Sequence, residues 1–263
     1  MTAALRRVYL GAAGLVLLFG AAQLALWAGR ADPATFPLPS AVLVSAADLA
    51  RNGSFLASVG DTMATWAEAM AIAVVIAVPA GLLLGSVPWA EPVVRPLIEF
   101  VRTVPAVVLV PLVLLIVQDN HRTEVAVVVF ASIWPVLFNT VYGVRSVEPL
   151  AVETLRSFGF GPLSVAWRVS LPSAAPFIGT GVRVAASFAF VVAIAIELTS
   201  TGMAGIGAFA FQEESGAADL AVMIAIAVWA GLIGLALNAV FVTAERRLFG
   251  WHFALTASAG GEE

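Results

Sequence analysis

His121 and His252 are the only histidines in the 263 residues, and neither cysteine nor lysine occurs. Without thiols there is no disulfide, no thiolate nucleophile, no iron–sulfur cluster and no cysteine-built zinc site. Without lysine no Schiff base can form, and no P-loop can reach the β- and γ-phosphates of a nucleotide. All 13 basic residues are therefore arginine. The two histidines stand far apart, and His121, flanked by Asp119 and Glu124, reads as a solvated loop residue rather than a metal ligand. No catalytic residue, metal site or cofactor is expected. The net charge of -4 argues against a nucleic-acid partner.

The remaining ionisable groups of interest are Glu68, Glu99, Arg102, Arg183 and Glu197, because all five fall inside apolar stretches. With 61% hydrophobic and 11% charged residues, against about 25% charged in soluble domains, the chain reads as an integral membrane protein. A bilayer core of about 30 Å needs about 20 apolar residues per helix. Six stretches qualify: residues 8–28, 63–87, 97–117, 125–143, 177–198 and 219–242. The first is longer than the apolar core of a signal peptide and lacks an Ala-x-Ala site, so it reads as a retained helix.

Intramembrane charge costs about 2.5–3.5 kcal/mol at mid-bilayer, but each of the five lies within two turns of a span end. Arg102 and Arg183 are expected to anchor at the interface or to pair with Glu99, and Glu197 to hydrogen-bond structurally. Asn139 and Thr140 are expected to bridge helices or line a path. Pro92, Pro96, Pro105 and Pro111 break the third span. Irregular backbone at membrane depth has to be buried or face a water-filled cavity. Arg102, Pro105, Val107, Val110, Pro111, Asn139 and Glu197 are therefore the candidates for a pathway or gate. The tryptophans at 27, 66, 89, 134, 229 and 251 read as an aromatic belt.

Arginine placement orients the chain by the positive-inside rule. With Arg6, Arg7, Arg95, Arg145, Arg156, Arg168, Arg246 and Arg247 inside, both termini are cytoplasmic. The expected organisation is an N-terminal helix within 1–28, an external loop 29–61, a transmembrane core 62–252 and a cytoplasmic tail 253–263. The Gly-rich 199–218 segment is an external re-entrant turn or short interfacial helix, and no internal repeat is evident.

Within the core lies a cytoplasmic loop, 144–176, containing PLAVETLRSFGFGPLSVAWRVSLPSAAP from Pro149. Pro149 suits a first helical position, and Glu153 in the first turn would favour the helix N-terminus. Gly159 and Gly161-Pro162 break the helix, and a second short one ends at Leu171-Pro172. At these residues the chain resembles the permease subunits of bacterial binding-protein-dependent ABC importers, whose loop reads E-A-A, three residues, G, nine residues, I-x-L-P. Glu153-Thr154-Leu155, Gly159 and Val169-Ser170-Leu171-Pro172 keep that spacing, with Thr, Leu and Val substituted. FPLPSAV, PAGLLLG, EFVRTVPAVVLVPL, PVLFNT, GVRVA, Glu197 with GMAGIG, and ERRLFGWH look like the nitrate, sulfonate, taurine and pyrimidine-precursor importers. The chain departs from them at 118–124 and at Thr65.

The resemblance implies an all-α polytopic membrane protein of type I ABC importer permease-like fold, with six transmembrane helices and a cytoplasmic coupling-helix loop. It implies a non-catalytic transport subunit in the bacterial inner membrane, carrying a small, anionic solute such as sulfonate, taurine or nitrate, or a pyrimidine-like vitamin precursor. Glu153, Thr154, Leu155, Gly159, Val169, Leu171 and Pro172 would meet a cytoplasmic ATP-binding subunit. An external substrate-binding protein would deliver ligand, and a second permease copy would complete a homodimer. The alternative is a secondary transporter or channel working without an ATPase.

Overall fold

A computed structural model of the chain describes residues 37–250 apart from 88 and 216–218, together with scattered helical positions among 14–26. The tail 253–263, with His252 beside it, lies outside the described residues, as does most of the first predicted span. Every regular element among the described residues is helical.

Ten α-helices are bounded among the described residues. In chain order they are α1 (Pro39–Leu49), α2 (Gly53–Ser86), α3 (Ala90–Arg102), α4 (Val110–Val117), α5 (Asn120–Arg145), α6 (Pro149–Ser157), α7 (Pro162–Val165), α8 (Leu171–Thr199), α9 (Ile206–Ser215) and α10 (Leu220–Leu248). Among the described residues, four helical runs are long and apolar enough to cross a membrane: α2, α5, α7 through α8, and α10.

Several ends differ from the sequence expectation. Helix α2 begins well before residue 63, inside the segment assigned to an external loop, because the Asn52 side chain caps it by accepting from the amides of Ser54 at 2.9 Å and Phe55 at 3.1 Å. Such a cap contributes about 0.5–2 kcal/mol. Phe55 then packs edge-on to Phe209 and against Trp229. Likewise Asp119 caps α5 through the Arg122 amide at 2.8 Å, so His121 belongs to a helical first turn and not to a loop.

The third predicted span, 97–117, is not one helix. Two helical runs, 92–102 and 106–117, meet there at 80°. Pro105 supplies no amide and holds extended backbone at φ -62° and ψ 119°, followed by a 3₁₀ turn from Ala106 to Leu109. The Thr103 hydroxyl closes the end of α3 by donating to the Phe100 carbonyl at 2.7 Å.

Leu171-Pro172 was expected to stop a helix, yet the chain runs on through a π turn at Ala166–Ser170 directly into α8. A proline lacks the amide that an α-helix would bond to the carbonyl four residues back, and a wider turn accommodates that loss.

The core is the packing of α2, α5 and α8. Alanines 69, 77, 185, 189 and 193 are all fully buried there, letting backbones approach closely as small residues do between membrane helices. A Cβ on Gly81 would come within 2.6 Å of Thr140 Cβ, and one on Gly85 within 2.7 Å of Val144 Cβ. The PAGLLLG run is thus the contact stripe of α2 on α5. Two tryptophans assigned to the aromatic belt also join helices: Trp66 donates to the Ala186 carbonyl at 2.9 Å, and Trp229 to the Ala46 carbonyl at 2.8 Å.

Candidate functional site

The helix-break-helix forms as a unit. Helix α6 ends because Gly159 adopts φ +79°, a left-handed conformation that glycine enters without the Cβ penalty. The amide of Phe160 then bonds back to the Leu155 carbonyl at 3.1 Å, and that of Gly159 to the Arg156 carbonyl at 2.9 Å. A Cβ at Gly159 would meet nothing within 4 Å, so conformation rather than close approach requires the glycine. Beyond the break, α7 and the π turn pack back on α6, and the Arg168 guanidinium lies 4.8 Å from the Phe160 ring centroid.

Glu153 and Thr154 are exposed, Leu155 and Val169 half-buried, Leu171 half-buried and Pro172 exposed. Glu153 stands in the second turn of α6, not the first, so the helix dipole favours its charge less than expected. The larger feature of this segment is absent from the sequence expectation. Leu150 is 66%, Phe158 77%, Leu163 73% and Trp167 65% exposed, on a structure too short and too polar to be membrane-embedded itself. Exposed apolar groups in a long loop between spans were the available signal.

At the opposite end of α8 a second polar arrangement is buried. Glu197 is fully buried and its Oε2 accepts from the Gly207 amide at 2.8 Å. Thr62 Oγ accepts from the Ile206 amide at 2.9 Å. A Cβ at Gly205, where φ is +133°, would overlap the Glu197 carboxylate. The GMAGIG segment is therefore wrapped onto the helix end by Glu197 and Thr62, as a structural hydrogen-bonding role requires. Glu124 is also buried there, with Thr123 and Thr65. Beside them His121 Nε2 lies 2.9 Å from Glu68 Oε2. Asp61, Asn120, His121, Glu124 and Met203 line a cavity of about 220 Å³.

The remaining pathway candidates scatter. Pro105 and Pro111 are exposed, Val107 is half-buried, and Val110 is 4% exposed within the core. Val110 thus packs inward from the break, whereas Val108 is 68% exposed. The Arg102 guanidinium sits 5.3 Å from the Phe138 ring centroid. Asn139 donates to the carbonyl of Pro135 at 2.8 Å and Thr140 to that of Val136 at 2.7 Å, each within its own helix. The pairing expected of Glu99 goes to Arg95, at 2.8 Å, and Arg183 pairs with Glu245 of α10.

Residues 73–250 match the family described as binding-protein-dependent transport system inner membrane component. The chain belongs to this family. It is similar to a bicarbonate transport system permease of Synechocystis, 30% identical over 60% of this chain and 56% of that protein. A probable ABC transporter permease of Brucella melitensis is 27% identical over 82% of this chain and 87% of the relative. A nitrate import permease of Leptolyngbya laminosa is 29% identical over 64% and 60% respectively. The match to the bicarbonate relative thus spans little more than half of that protein's length.

The fold is shared with the MetNI methionine ABC transporter in inward-facing conformations, at TM-score 0.64 and 16% identity, over 74% of this chain and 95% of that one. An amino acid ABC transporter gives 0.59 and 20%, over 78% and 96%. The chain is therefore a multi-pass inner-membrane component of this transport family with the fold of the type I ABC importer permeases.

Proposed function

We propose that this permease forms half of the translocation pathway of an ATP-driven importer for a small anion, and that the 149–170 segment transmits the ATPase stroke. The observation that carries the reading is the exposure of Leu150, Phe158, Leu163 and Trp167 around the Gly159 break. Burying one such side chain contributes about 1.5–3 kcal/mol, and aromatic anchors commonly dominate protein interfaces. Glu153, Thr154 and the Val169–Pro172 end flank that patch, so a groove on a cytoplasmic ATPase would take the whole break-helix unit.

Two copies of the permease would each seat one ATPase subunit. Closure of the ATPase pair on ATP would draw the two break-helix units together, and rigid continuity from α7 into α8 would carry that motion into the membrane. An external binding protein would deliver the solute at the Glu197 end, with both termini cytoplasmic. The bent junction at Thr103–Pro105 and Arg102 belong to the candidate gate. The names of the bicarbonate and nitrate relatives support a small oxyanion as the solute.

The test is uptake into proteoliposomes holding the permease, its ATPase subunit and its binding protein. Nitrate, bicarbonate and taurine are supplied separately. Accumulation of one of them that requires ATP and the binding protein is the expected result. Uptake that persists without ATPase or nucleotide would instead establish a channel or secondary transporter.

A further inference from the structure

On the face of α8 turned away from the α2–α5 core, Arg183, Val184, Ser187, Phe188 and Val191 line an open cavity of about 490 Å³ together with Asn238 of α10. The guanidinium there is held from behind. Glu245 Oε2 lies 3.4 Å from Arg183 Nε, and Glu245 Oε1 accepts from the Thr180 hydroxyl at 2.5 Å. The carboxylate side chain is 8% exposed while that of Arg183 is 33% exposed. The partner is thus covered and the cation is presented.

Glu245 approaches the guanidinium from its Nε side, Arg183 lines the cavity, and the edge away from Nε is the Nη1–Nη2 pair. Two parallel N–H donors on that edge match the paired oxygens of a planar oxyanion. The Ser187 hydroxyl, one turn further along α8, donates to the Arg183 carbonyl at 3.4 Å, a long contact that a ligand acceptor would replace, and the Asn238 amide adds a neutral donor, while Val184, Phe188 and Val191 supply apolar walls that lower the local dielectric and strengthen the attraction. Arginine inside a membrane span faces a bundle interior or a water-filled path by default. Arg183 sits about 18 Å along the helix from Leu171, at about 1.5 Å per residue.

We propose that Arg183, oriented by Glu245 and Thr180 and assisted by Ser187 and Asn238, is an anion station on the transport route, specific for small planar oxyanions of the nitrate or bicarbonate type. The proposal rests on the importer reading above and names the site at which that permease would contact its solute.

The probe is chloride, followed by ³⁵Cl line width in nanodiscs carrying the full permease with its ATPase subunit. The wild type should broaden the chloride line, and nitrate or bicarbonate should displace that broadening more effectively than tetrahedral methanesulfonate. Arg183→Gln should reduce the excess width at least threefold. Arg183→Lys, which keeps the charge and loses the fork, should retain broadening but lose the preference for planar anions. Ser187→Ala combined with Asn238→Leu should raise the nitrate concentration for half-displacement severalfold. ATPase co-purification reports that each variant is folded. Equal broadening and displacement in wild type and Arg183→Gln would overturn the proposal, as would a wild type without excess width. ATP-driven uptake by the wild-type complex is read separately, so its failure counts against the importer reading and not against the anion site.

Discussion

The Gly207 amide donates to Glu197 Oε2 at 2.8 Å, and this bond between residues of α8 and α9 folds the intervening glycine-rich turn onto the helix end. The carboxylate is fully buried, so removing it leaves a buried amide unpartnered at a cost of about 1–3 kcal/mol. Glu197→Ala should lower the apparent melting temperature and the membrane abundance of the permease, whereas Glu197→Gln, which keeps a carbonyl acceptor, should stay close to wild type. Thermal unfolding in detergent reads the difference. Equal loss in both variants would point to the charge itself, and no loss in Glu197→Ala would remove the proposed anchoring role.

The α3–α4 junction separates two neighbouring valines by environment. Val110 is 4% exposed in the core and Val108 is 68% exposed. Tryptophan at Val110 overpacks the core, which costs about 1–3 kcal/mol, so abundance should fall. Tryptophan at Val108 should leave abundance and ATPase retention intact while blocking uptake. Unimpaired uptake with Val108→Trp would move the gate away from this bend.

At Gly159 the backbone holds φ +79° and an added Cβ has open space. Strain, of about 1–2 kcal/mol for an ordinary residue in the left-handed region, is therefore the penalty. Gly159→Asn, whose short polar side chain tolerates that region, should transport better than Gly159→Val. Uptake by the two variants in reconstituted complexes checks the order. Equal activity of both would mean that the helix break does not need its left-handed residue.

The long helices were legible because about 20 consecutive apolar residues have few other uses, and the break helix because Gly159 and Gly161-Pro162 punctuate it, whereas the helix runs straight through Leu171-Pro172, the expected stop. What escaped were consequences of contact. The start of α2 depends on Asn52 capping and on Phe55 meeting aromatic rings far along the chain. The partner of Arg183 is Glu245, on another helix, and Trp66, read as part of an aromatic belt, also bonds to a carbonyl of α8. Pro105 announced a break in the third span, though not its 80° angle. Trp167 carried no pattern, and only its 65% exposure singles it out.

The orientation can be tested without background labelling because the chain has no cysteine. Ser54 and Ser157 are both exposed and lie in α2 and α6. A cysteine replacing Ser54 should react with an impermeant maleimide in intact cells, and one replacing Ser157 only after permeabilisation. The reverse pattern would place the break helix outside and exclude coupling to a cytoplasmic ATPase.

The central claim is that the apolar surface around the break helix seats the ATPase. The direct measurement is retention of the ATPase subunit by affinity-purified permease carrying Leu163→Glu and Trp167→Glu together. Both side chains are exposed, at 73% and 65%, so folding and membrane insertion should be unchanged. The double variant should insert at wild-type abundance, lose most of the co-purified ATPase and transport no solute. Wild-type retention of the ATPase by that variant would contradict that claim.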